Sequence, residues 1–347
     1  MNDGIARDLP MQAQPTQSLP ARPEPFEVAY AGKAAAAPAV VVCIPTMRRP
    51  DHLALTLRSL AAQDFARPFA CLVADNDPAG RAGAARAEAM MREGVVAGAA
   101  VVVARPGHSS ACNGVFAAAR ALFPDTPLVA MIDDDELAEP DWLRRIVDAQ
   151  ERSGADLVGG PVLPRFERPD AGRFAGHPVF TPYYTASGPV PFLYGSGNFA
   201  MRAQVLDRLG QPYLDPAFDF VGGGDFDFFK RARDAGFTAY FEAEARAVET
   251  VPAGRTSLRW VVARSLRYGA INYMIERKNA RRPLDRLRIP AKSLALLGLG
   301  PLRSLSRLAS SGDLLASTHP LLEALGRVTA QAGFRPEQYR PREGRLP

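Results

Sequence analysis

The chain has 347 residues, of which 47% are hydrophobic and 23% are charged, and its formal net charge is +5. This length and apolar content predict a globular protein with one large core or two modest ones. Three cysteines without a CxxC pair indicate neither a disulfide framework nor a zinc site, and fit a reducing cytoplasm. No apolar run reaches the roughly 18 to 20 residues that a membrane-spanning helix needs.

Charge and composition divide the chain into three parts. Residues 1–37 contain no apolar signal-peptide core, and their Pro, Gln and Ala predict a disordered leader. Residues 252–347 carry 18 Lys plus Arg against 6 Asp plus Glu, whereas the rest of the chain is acidic. We therefore expect a leader over 1–37, a domain over 38–251 and a basic helical C-terminal extension over 252–347.

Four apolar strands alternate with helical patterns in the first half of the chain. They are AVVVCIP (39–45), FACLVAD (69–75), AAVVVA (99–104) and LVAMI (128–132). Such alternation predicts an α/β fold in which parallel strands are covered by helices on both faces. Ligands of these sheets bind beyond the carboxyl ends of the strands, so polar residues at those ends are candidate site residues.

An acidic cluster, DDDE over 133–136, directly follows the fourth of these strands. Buried charges without partners are costly, so the cluster must be solvated, paired or bound to a cation. Three interpretations stay open: a solvated turn before a helix, a divalent cation site made of oxygen ligands, or an acid/base pair.

Other candidates also have plain structural alternatives. Arg48 could bind a phosphate or lie in an exposed loop. Asp75 could accept a hydrogen bond from a nucleoside or form an Asp-Asn turn. His108 could shuttle protons, although a loop histidine is more often at the surface. Asp225 lies at a predicted helix N-terminus, where capping competes with catalysis.

The second half of the chain is less regular. Residues 161–195 are rich in Pro, Gly, Tyr and Phe, which predicts a shaped loop over the crevice or a tolerated insertion. A strand and helix follow in YGSGNFAMRAQVLDRLG, and GGGDFDFF predicts a glycine turn that opens a helix. FTAYFEAEARAV predicts an edge strand, and residues 256–279 predict a long amphipathic helix.

The order of these segments resembles family 2 glycosyltransferases, in particular bacterial exopolysaccharide enzymes of the succinoglycan type. The resemblance rests on Pro45-Thr46, Asp75, Asn113, DDDE and GGGDFDFF in sequence, and on IDDDELAEPDWL, GGPVLP, YGSGNFAMR and VETVPAGRTS. It implies the GT-A fold, a Rossmann-like mixed sheet with helices on both faces. It also implies a nucleotide-sugar donor and Mg²⁺ or Mn²⁺ as cofactor.

The resemblance also assigns roles to individual residues. The expected donor-binding residues are Pro45, Thr46, Arg48, Asp75, Asn113 and Asp133. Asp75 would contact the uridine base, Asp133 the ribose or a metal-bound water, and Asp135 the metal. Glu249 stands where many relatives carry a metal-binding histidine. Asp134 should point to the opposite side and matter less.

Asp225 matches the catalytic base of the family, and Asp227 is a fallback for that role. The chain departs from the family pattern at two positions. Gly224 replaces the usual glutamate, and Cys112 stands where relatives often have arginine.

We therefore expect an inverting glycosyltransferase that uses a UDP-sugar and acts on a hydroxyl of a glycan or lipid-linked oligosaccharide. It would be cytoplasmic, either free or peripheral on an anionic membrane surface, and would not bind nucleic acid. One alternative is a sugar-phosphate nucleotidyltransferase, although PTMRRPD lacks the glycines of its phosphate loop. The other is a non-catalytic carbohydrate- or membrane-binding relative.

Overall fold

The computed structural model of the protein describes residues 25–32, 37–280 and 282–334. Its strands are β1 (Glu27–Ala31), β2 (Val40–Thr46), β3 (Phe69–Asp75), β4 (Gly98–Val102), β5 (Leu128–Met131), β6 (Glu136–Ala138), β7 (Leu157–Gly159), β8 (Val162–Phe166), β9 (Gly188–Val190), β10 (Phe199–Arg202), β11 (Ala239–Phe241) and β12 (Ala247–Val251). Its helices are α1 (Pro50–Ala61), α2 (Ala82–Arg92), α3 (His108–Leu122), α4 (Trp142–Ser153), α5 (Ala203–Leu209), α6 (Gly224–Asp234), α7 (Leu258–Lys278), α8 (Pro283–Ser311), α9 (Leu314–Ser317) and α10 (His319–Gln331).

The main sheet has nine strands in the order β1-β4-β3-β2-β5-β10-β7-β11-β9. The four strands predicted from the sequence, β2 to β5, are parallel to one another, as expected. The sheet is mixed because β1, β9 and β10 pair antiparallel with their neighbours. A second, three-stranded sheet has the order β6-β12-β8.

Helices cover both faces of the main sheet. Apolar side chains of α1, α2 and α4 form the core on one face, and those of α3, α5 and α6 form the core on the other. Strand β2 is buried over its whole length because its neighbours and these helices enclose it. Such enclosure explains its continuous run of apolar residues. The predicted α/β fold is therefore confirmed.

Two segments differ from the sequence-based expectation. Residues 27–31 lie inside the predicted leader but form edge strand β1, which pairs with β4; the rest of the leader up to residue 24 lies outside the described residues. The single edge strand expected in FTAYFEAEARAV is two strands. β11 joins the main sheet and β12 joins the small one, because residues 242–246 turn between them.

The C-terminal helices are fixed to the rest of the protein by α7. Helices α7 and α10 approach so closely that a Cβ added to Gly269 would lie 1.9 Å from the Glu323 carbonyl oxygen. Arg327 of α10 is almost fully buried and pairs with Glu276 of α7 at 2.6 Å. Within the described residues, no helix is long and apolar enough to cross a membrane.

Candidate active site

A large cleft opens at the carboxyl ends of β2 and β5, where the sequence analysis expected it. Its volume is about 1640 Å³. A pocket for one small ligand typically measures about 300 to 1,000 Å³, so this cleft has room for two substrates. The acidic cluster and the loop after β2 form one wall, the start of α6 forms another, and α7 closes the cleft.

The acidic wall is built where the main sheet meets the small one. Residues 132–135 connect β5 to β6, and β6 pairs antiparallel with β12 so that Glu136 lies opposite Glu249. The backbone N–H of Thr250 donates to the Asp135 carbonyl at 3.1 Å. This pairing brings Glu249, more than a hundred residues away in sequence, to the same wall as Asp133 and Asp135.

Burial and mutual repulsion raise the pKa values of carboxyl groups on this wall. Burial raises the pKa of Asp133 well above its usual range, and the neighbouring Asp135, Asp134 and Glu249 raise it further. Burial and Asp135 likewise raise the pKa of Glu249, against the lowering effect of Arg255. Such a carboxylate group is poised to take up a cation or a proton.

The donor set fits a divalent cation. Asp133, Asp135 and Glu249 offer the hard oxygen ligands that Mg²⁺ and Mn²⁺ prefer. Asp133 Oδ2 accepts a long hydrogen bond from Ser196 Oγ, at 3.4 Å, which compensates its charge weakly. Among the described residues, however, no three His, Cys, Asp or Glu side chains already converge as a metal cluster. In this structure arginines serve as the counter-cations.

Two of these counter-cations are Arg49 and Arg255. Arg49 Nη1 lies 2.8 Å from Asp135 Oδ2 and 3.4 Å from Asp134 Oδ1. Arg255 Nη1 lies 2.7 Å from Glu249 Oε1. The sequence pattern connects neither arginine with the carboxylates.

Asp134 is bound differently from its neighbours. Its Oδ2 accepts a hydrogen bond from Thr46 Oγ1 at 2.8 Å, which ties the acidic loop to the end of β2. Burial raises the pKa of Asp134 to about 6, although Arg49 opposes this shift. The hydroxyl of Thr46 is therefore engaged with Asp134, while Pro45 and Arg48 also line the cleft. Arg48 pairs with Asp77 at 2.7 Å.

Asp225 stands on the second wall, in the first turn of α6. The preceding glycine turn is required because Gly222 and Gly223 have positive φ angles of 87° and 90°. A Cβ on Gly223 would also lie 2.3 Å from Ile271 of α7. The N-terminus of a helix favours a carboxylate side chain, and the turn presents Asp225 to the cleft.

Three candidates from the sequence have structural roles instead. Asp227 is fully buried away from the cleft, where it pairs with Arg231 and Lys278 at 3.1 and 2.7 Å, so its position here is that of a structural ion pair. Asp75 does not line the cleft, because its carboxylate accepts the backbone N–H groups of Asp77 and Ala84. It forms the Asp-Asn turn that was its plain alternative.

Asn113 is the third of these residues. Its side-chain amide donates to the Leu214 carbonyl and accepts from the Leu214 N–H, both at 2.8 Å. These two bonds hold the segment before α6 against α3. Asn113 therefore positions a loop and does not face the cleft in this structure.

Several cleft residues were missed or misjudged in the sequence. His108, expected at the surface, begins α3 and lines the cleft; burial lowers its pKa, against the opposing effects of Asp225 and Asp219. Arg264 and Arg267 line the side of the cleft that α7 closes. Only the helical spacing of three from 264 to 267 could have placed them on one face of α7.

Comparison with known proteins identifies the family of the chain. The profile described as "Glycosyltransferase like family 2" matches residues 37–269. The succinoglycan biosynthesis protein ExoM of Rhizobium meliloti is 33% identical over 239 residues, which cover 65% of this chain and 71% of ExoM. A glucosyl-dolichyl phosphate glucuronosyltransferase of Haloferax volcanii is 30% identical over 166 residues, 41% of this chain and 49% of that protein.

A solved structure shares the fold. The mannosyltransferase of Pyrobaculum calidifontis, solved in complex with GDP-Man and Mn²⁺, superposes with a TM-score of 0.53 at 17% identity. The match covers 87% of this chain and 90% of that one. Together with the sheet topology, this similarity identifies the fold as GT-A, as predicted.

Proposed function

Because the chain belongs to glycosyltransferase family 2, we propose that it is an inverting enzyme of cell-surface or exopolysaccharide biosynthesis. It would transfer a sugar from a UDP-sugar to a hydroxyl of a glycan or lipid-linked oligosaccharide. The observation that carries this proposal is the cleft itself, in which Asp133 and Asp135 face Asp225 from a different wall. A donor diphosphate and an acceptor hydroxyl need these two kinds of carboxylate on either side of the anomeric carbon.

The donor would lie against the acidic wall with a divalent cation. Asp133, Asp135 and Glu249 would hold Mg²⁺ or Mn²⁺, which supplies charge stabilisation for the leaving diphosphate. The fold relative from P. calidifontis carries GDP-Man and Mn²⁺, which supports a nucleotide-sugar and metal here. Arg264 and Arg267 of α7 face the same space and would attract phosphate oxygens.

The displacement follows from the position of Asp225. The acceptor oxygen forms a bond to the anomeric carbon while the bond from that carbon to the diphosphate oxygen breaks. The acceptor proton passes to the Asp225 carboxylate, and the nucleoside diphosphate leaves with the electron pair. Attack from the side opposite the leaving group inverts the anomeric configuration.

The family assignment favours this function over the two alternatives from the sequence. A nucleotidyltransferase would cradle phosphates in a glycine-rich loop after its first strand, whereas residues 46–50 contain no glycine. A non-catalytic relative would not need a carboxylate presented to the cleft by a glycine turn. Gly224 does not weaken this argument, because Asp225 itself is present.

Helix α8 supports a position on an anionic membrane surface. Its solvent-exposed leucines are Leu284, Leu287, Leu294, Leu299, Leu302 and Leu305, each 49% to 72% exposed. The opposite face packs inward through Ser293 and Gly300. We propose that this leucine face inserts into the interface of the cytoplasmic leaflet, near a lipid-linked acceptor.

Charge favours lipid over a second copy of the chain as the partner of α8. The helix carries five Arg or Lys residues and one acidic residue, Asp285. Two such helices would repel each other, whereas an anionic leaflet attracts each basic residue by about 1 kcal/mol.

A donor screen tests the proposed function. Purified protein is incubated with UDP-, GDP- and TDP-sugars and Mn²⁺, and nucleotide release is measured. We expect hydrolysis of a UDP-sugar that stops when a chelator is added and in Asp135→Ala. Release that prefers GDP- or TDP-sugars would correct the donor, and no release from any donor would contradict catalysis.

A further inference from the structure

Aromatic rings line the wall of the cleft between the acidic cluster and α6. They are Tyr183, Tyr184, Phe192, Tyr194, Phe226 and Phe241. We propose that Tyr183, Tyr194 and Phe226 form a stacking platform that binds a pyranose ring of the acceptor. This inference rests on the proposed glycosyl transfer and names the residues that would select its acceptor.

The three rings form a continuous ladder. The ring centroids of Tyr183 and Tyr194 are 4.1 Å apart with an interplanar angle of 31°. Those of Tyr194 and Phe226 are 5.4 Å apart and nearly parallel, at 19°. Exposure rises along the ladder, because Tyr194 is 39% and Tyr183 is 70% exposed. The ladder therefore leads from the interior of the cleft to solvent.

Its inner end lies beside the reacting groups. Phe226 directly follows Asp225, the proposed base. Tyr194 precedes Ser196 by two residues, and Ser196 Oγ contacts Asp133 on the acidic wall. The platform is thus attached to both segments that carry the carboxylates. A sugar stacked on it would lie in the same cleft as the base, where an acceptor must bind.

The chemistry of the platform matches a sugar ring. One face of a pyranose presents C–H groups, which pack on an aromatic face, while its hydroxyls need polar partners at the edge. Tyr183 and Tyr194 supply both features. Burial and a hydrogen bond with Tyr183 raise the pKa of Tyr194, so its phenol stays neutral. A contiguous group of exposed aromatic rings is typical of a binding surface.

The segment that carries the tyrosines is held in place. The hydroxyl of Tyr184 donates to the Phe192 carbonyl at 2.9 Å, which closes the loop from 184 to 192. The guanidinium of Arg233 lies 5.2 Å from the centre of the Phe192 ring. A platform fixed before binding loses little conformational freedom when a sugar docks.

Stacking of the donor base is the competing use of these rings. It is less favoured because the residues expected to bind the nucleotide, Pro45, Thr46 and Arg48, lie at the end of β2 and in the loop after it. The two uses differ in one measurable respect. Removing the Tyr183 ring would weaken UDP binding if it holds the base, and would leave UDP binding unchanged if it holds the acceptor.

The test uses two small glycosides as probes, methyl β-D-glucopyranoside and methyl β-D-galactopyranoside. Their binding to the full chain with UDP and Mn²⁺ is measured by saturation-transfer NMR, and UDP is titrated separately by calorimetry. The variants are Tyr183→Ala and Tyr183→Phe. Phe334→Ala is the matched control, because Phe334 is also exposed, at 60%, and does not line the cleft.

We expect Tyr183→Ala to weaken binding of at least one glycoside by about 5- to 10-fold, the scale of one aromatic contact. Tyr183→Phe should retain the ring face and most of this binding, and the control should match the wild type. UDP affinity should not change in any variant.

Equal glycoside binding in the wild type and Tyr183→Ala would overturn the platform, as would a UDP affinity that falls with the ring. Absence of glycoside binding in a wild type that binds UDP would also overturn it. A wild type that binds glycosides through Tyr183 but not UDP would support the platform and contradict the donor proposal. The two proposals can therefore fail separately.

Discussion

Arg49 and Asp135 form an ion pair at 2.8 Å, and the same guanidinium also contacts Asp134. Asp135 is one of the three proposed metal ligands, so the arginine occupies the surroundings that a divalent cation would enter. The two carboxylates nevertheless differ, because Asp134 is additionally bound to Thr46 and is buried. We expect their substitutions to separate metal binding from stability.

Asp135→Ala should abolish turnover and weaken UDP binding in Mn²⁺ by at least about 10-fold, since it removes a ligand of the cation. Asp134→Ala should retain UDP binding but lower the free energy of unfolding by about 1 to 3 kcal/mol, the cost of an unsatisfied buried partner. Calorimetry with UDP and thermal denaturation measure the two effects. Equal UDP affinity of the wild type with and without chelator would refute metal dependence.

Asp225→Asn should reduce kcat by at least about 10² while donor binding stays nearly unchanged, because the base acts only in the transition state. Asp227→Asn should instead lower stability, since it weakens the buried pairs with Arg231 and Lys278. Steady-state kinetics and melting temperatures distinguish the two. Full activity of Asp225→Asn would remove this residue from the mechanism.

The raised pKa of Asp133 predicts a pH-dependent stability difference in metal-free buffer. Its carboxyl holds a proton more tightly in the folded than in the unfolded state, so folding is penalised above the ordinary carboxyl pKa of about 4. Asp133→Asn removes this penalty. The variant should therefore be more stable than the wild type at pH 7, and the difference should shrink as the pH falls toward 4. Chemical denaturation at several pH values measures it; a constant or reversed difference argues against a strained Asp133.

Gly224 replaces the glutamate of the family pattern, and the packing explains why a side chain is excluded. A Cβ at Gly224 would lie 2.5 Å from Ser109 Oγ and 3.3 Å from a methyl carbon of Leu214. We expect Gly224→Ala to cost about 1 to 3 kcal/mol of stability, the usual range for overpacking. Ser109→Gly should recover part of the loss in the double variant. Additive effects of the two substitutions would show that this contact is not the cause.

The parts of the site that are predictable from the sequence depend on local pattern. Apolar strands followed by polar residues place Asp133 and Asp135 at the carboxyl end of β5, and the glycine run before Asp225 predicts a turn into a helix. Each of these inferences needs only neighbouring residues and the general behaviour of parallel sheets.

The remaining features depend on partners far along the chain. The amide of Asn113 is used by Leu214, and Asp227 is buried by Lys278 of α7, so neither role is visible in a short motif. The structural role of Asp75 is not predictable for a local reason, because the same Asp-Asn sequence is compatible with a turn and with a ligand contact. The stacking of Tyr194 on Phe226 joins an irregular loop to a helix, and periodicity gives no signal for such a contact.

Helix α8 gives the last prediction, which concerns where the enzyme works. Leu287, Leu302 and Leu305 lie on its exposed face, at 62% to 72% exposure, and Arg288 lies at the same side. If this face enters the membrane interface, replacing the three leucines with serine should remove most of the binding. Burial of apolar side chains supplies most of the free energy of such binding. Arg288→Gln should weaken binding by about 5-fold at low salt only, corresponding to about 1 kcal/mol near an anionic leaflet.

Co-sedimentation with anionic and with neutral liposomes measures this, at physiological ionic strength and at about 1 M salt, where the screening length falls from about 8 Å to 3 Å. Leu55→Ser is the matched control, because Leu55 is 53% exposed and lies on α1, which packs on the main sheet. We expect the wild type and the control to bind anionic liposomes, and salt to release part of the protein. Binding that ignores lipid charge, or that the triple leucine variant retains, would contradict the proposal. Dimerisation of the wild type that the leucine substitutions abolish would assign the face to a second copy, because an apolar surface that is already covered by protein cannot also enter the lipid.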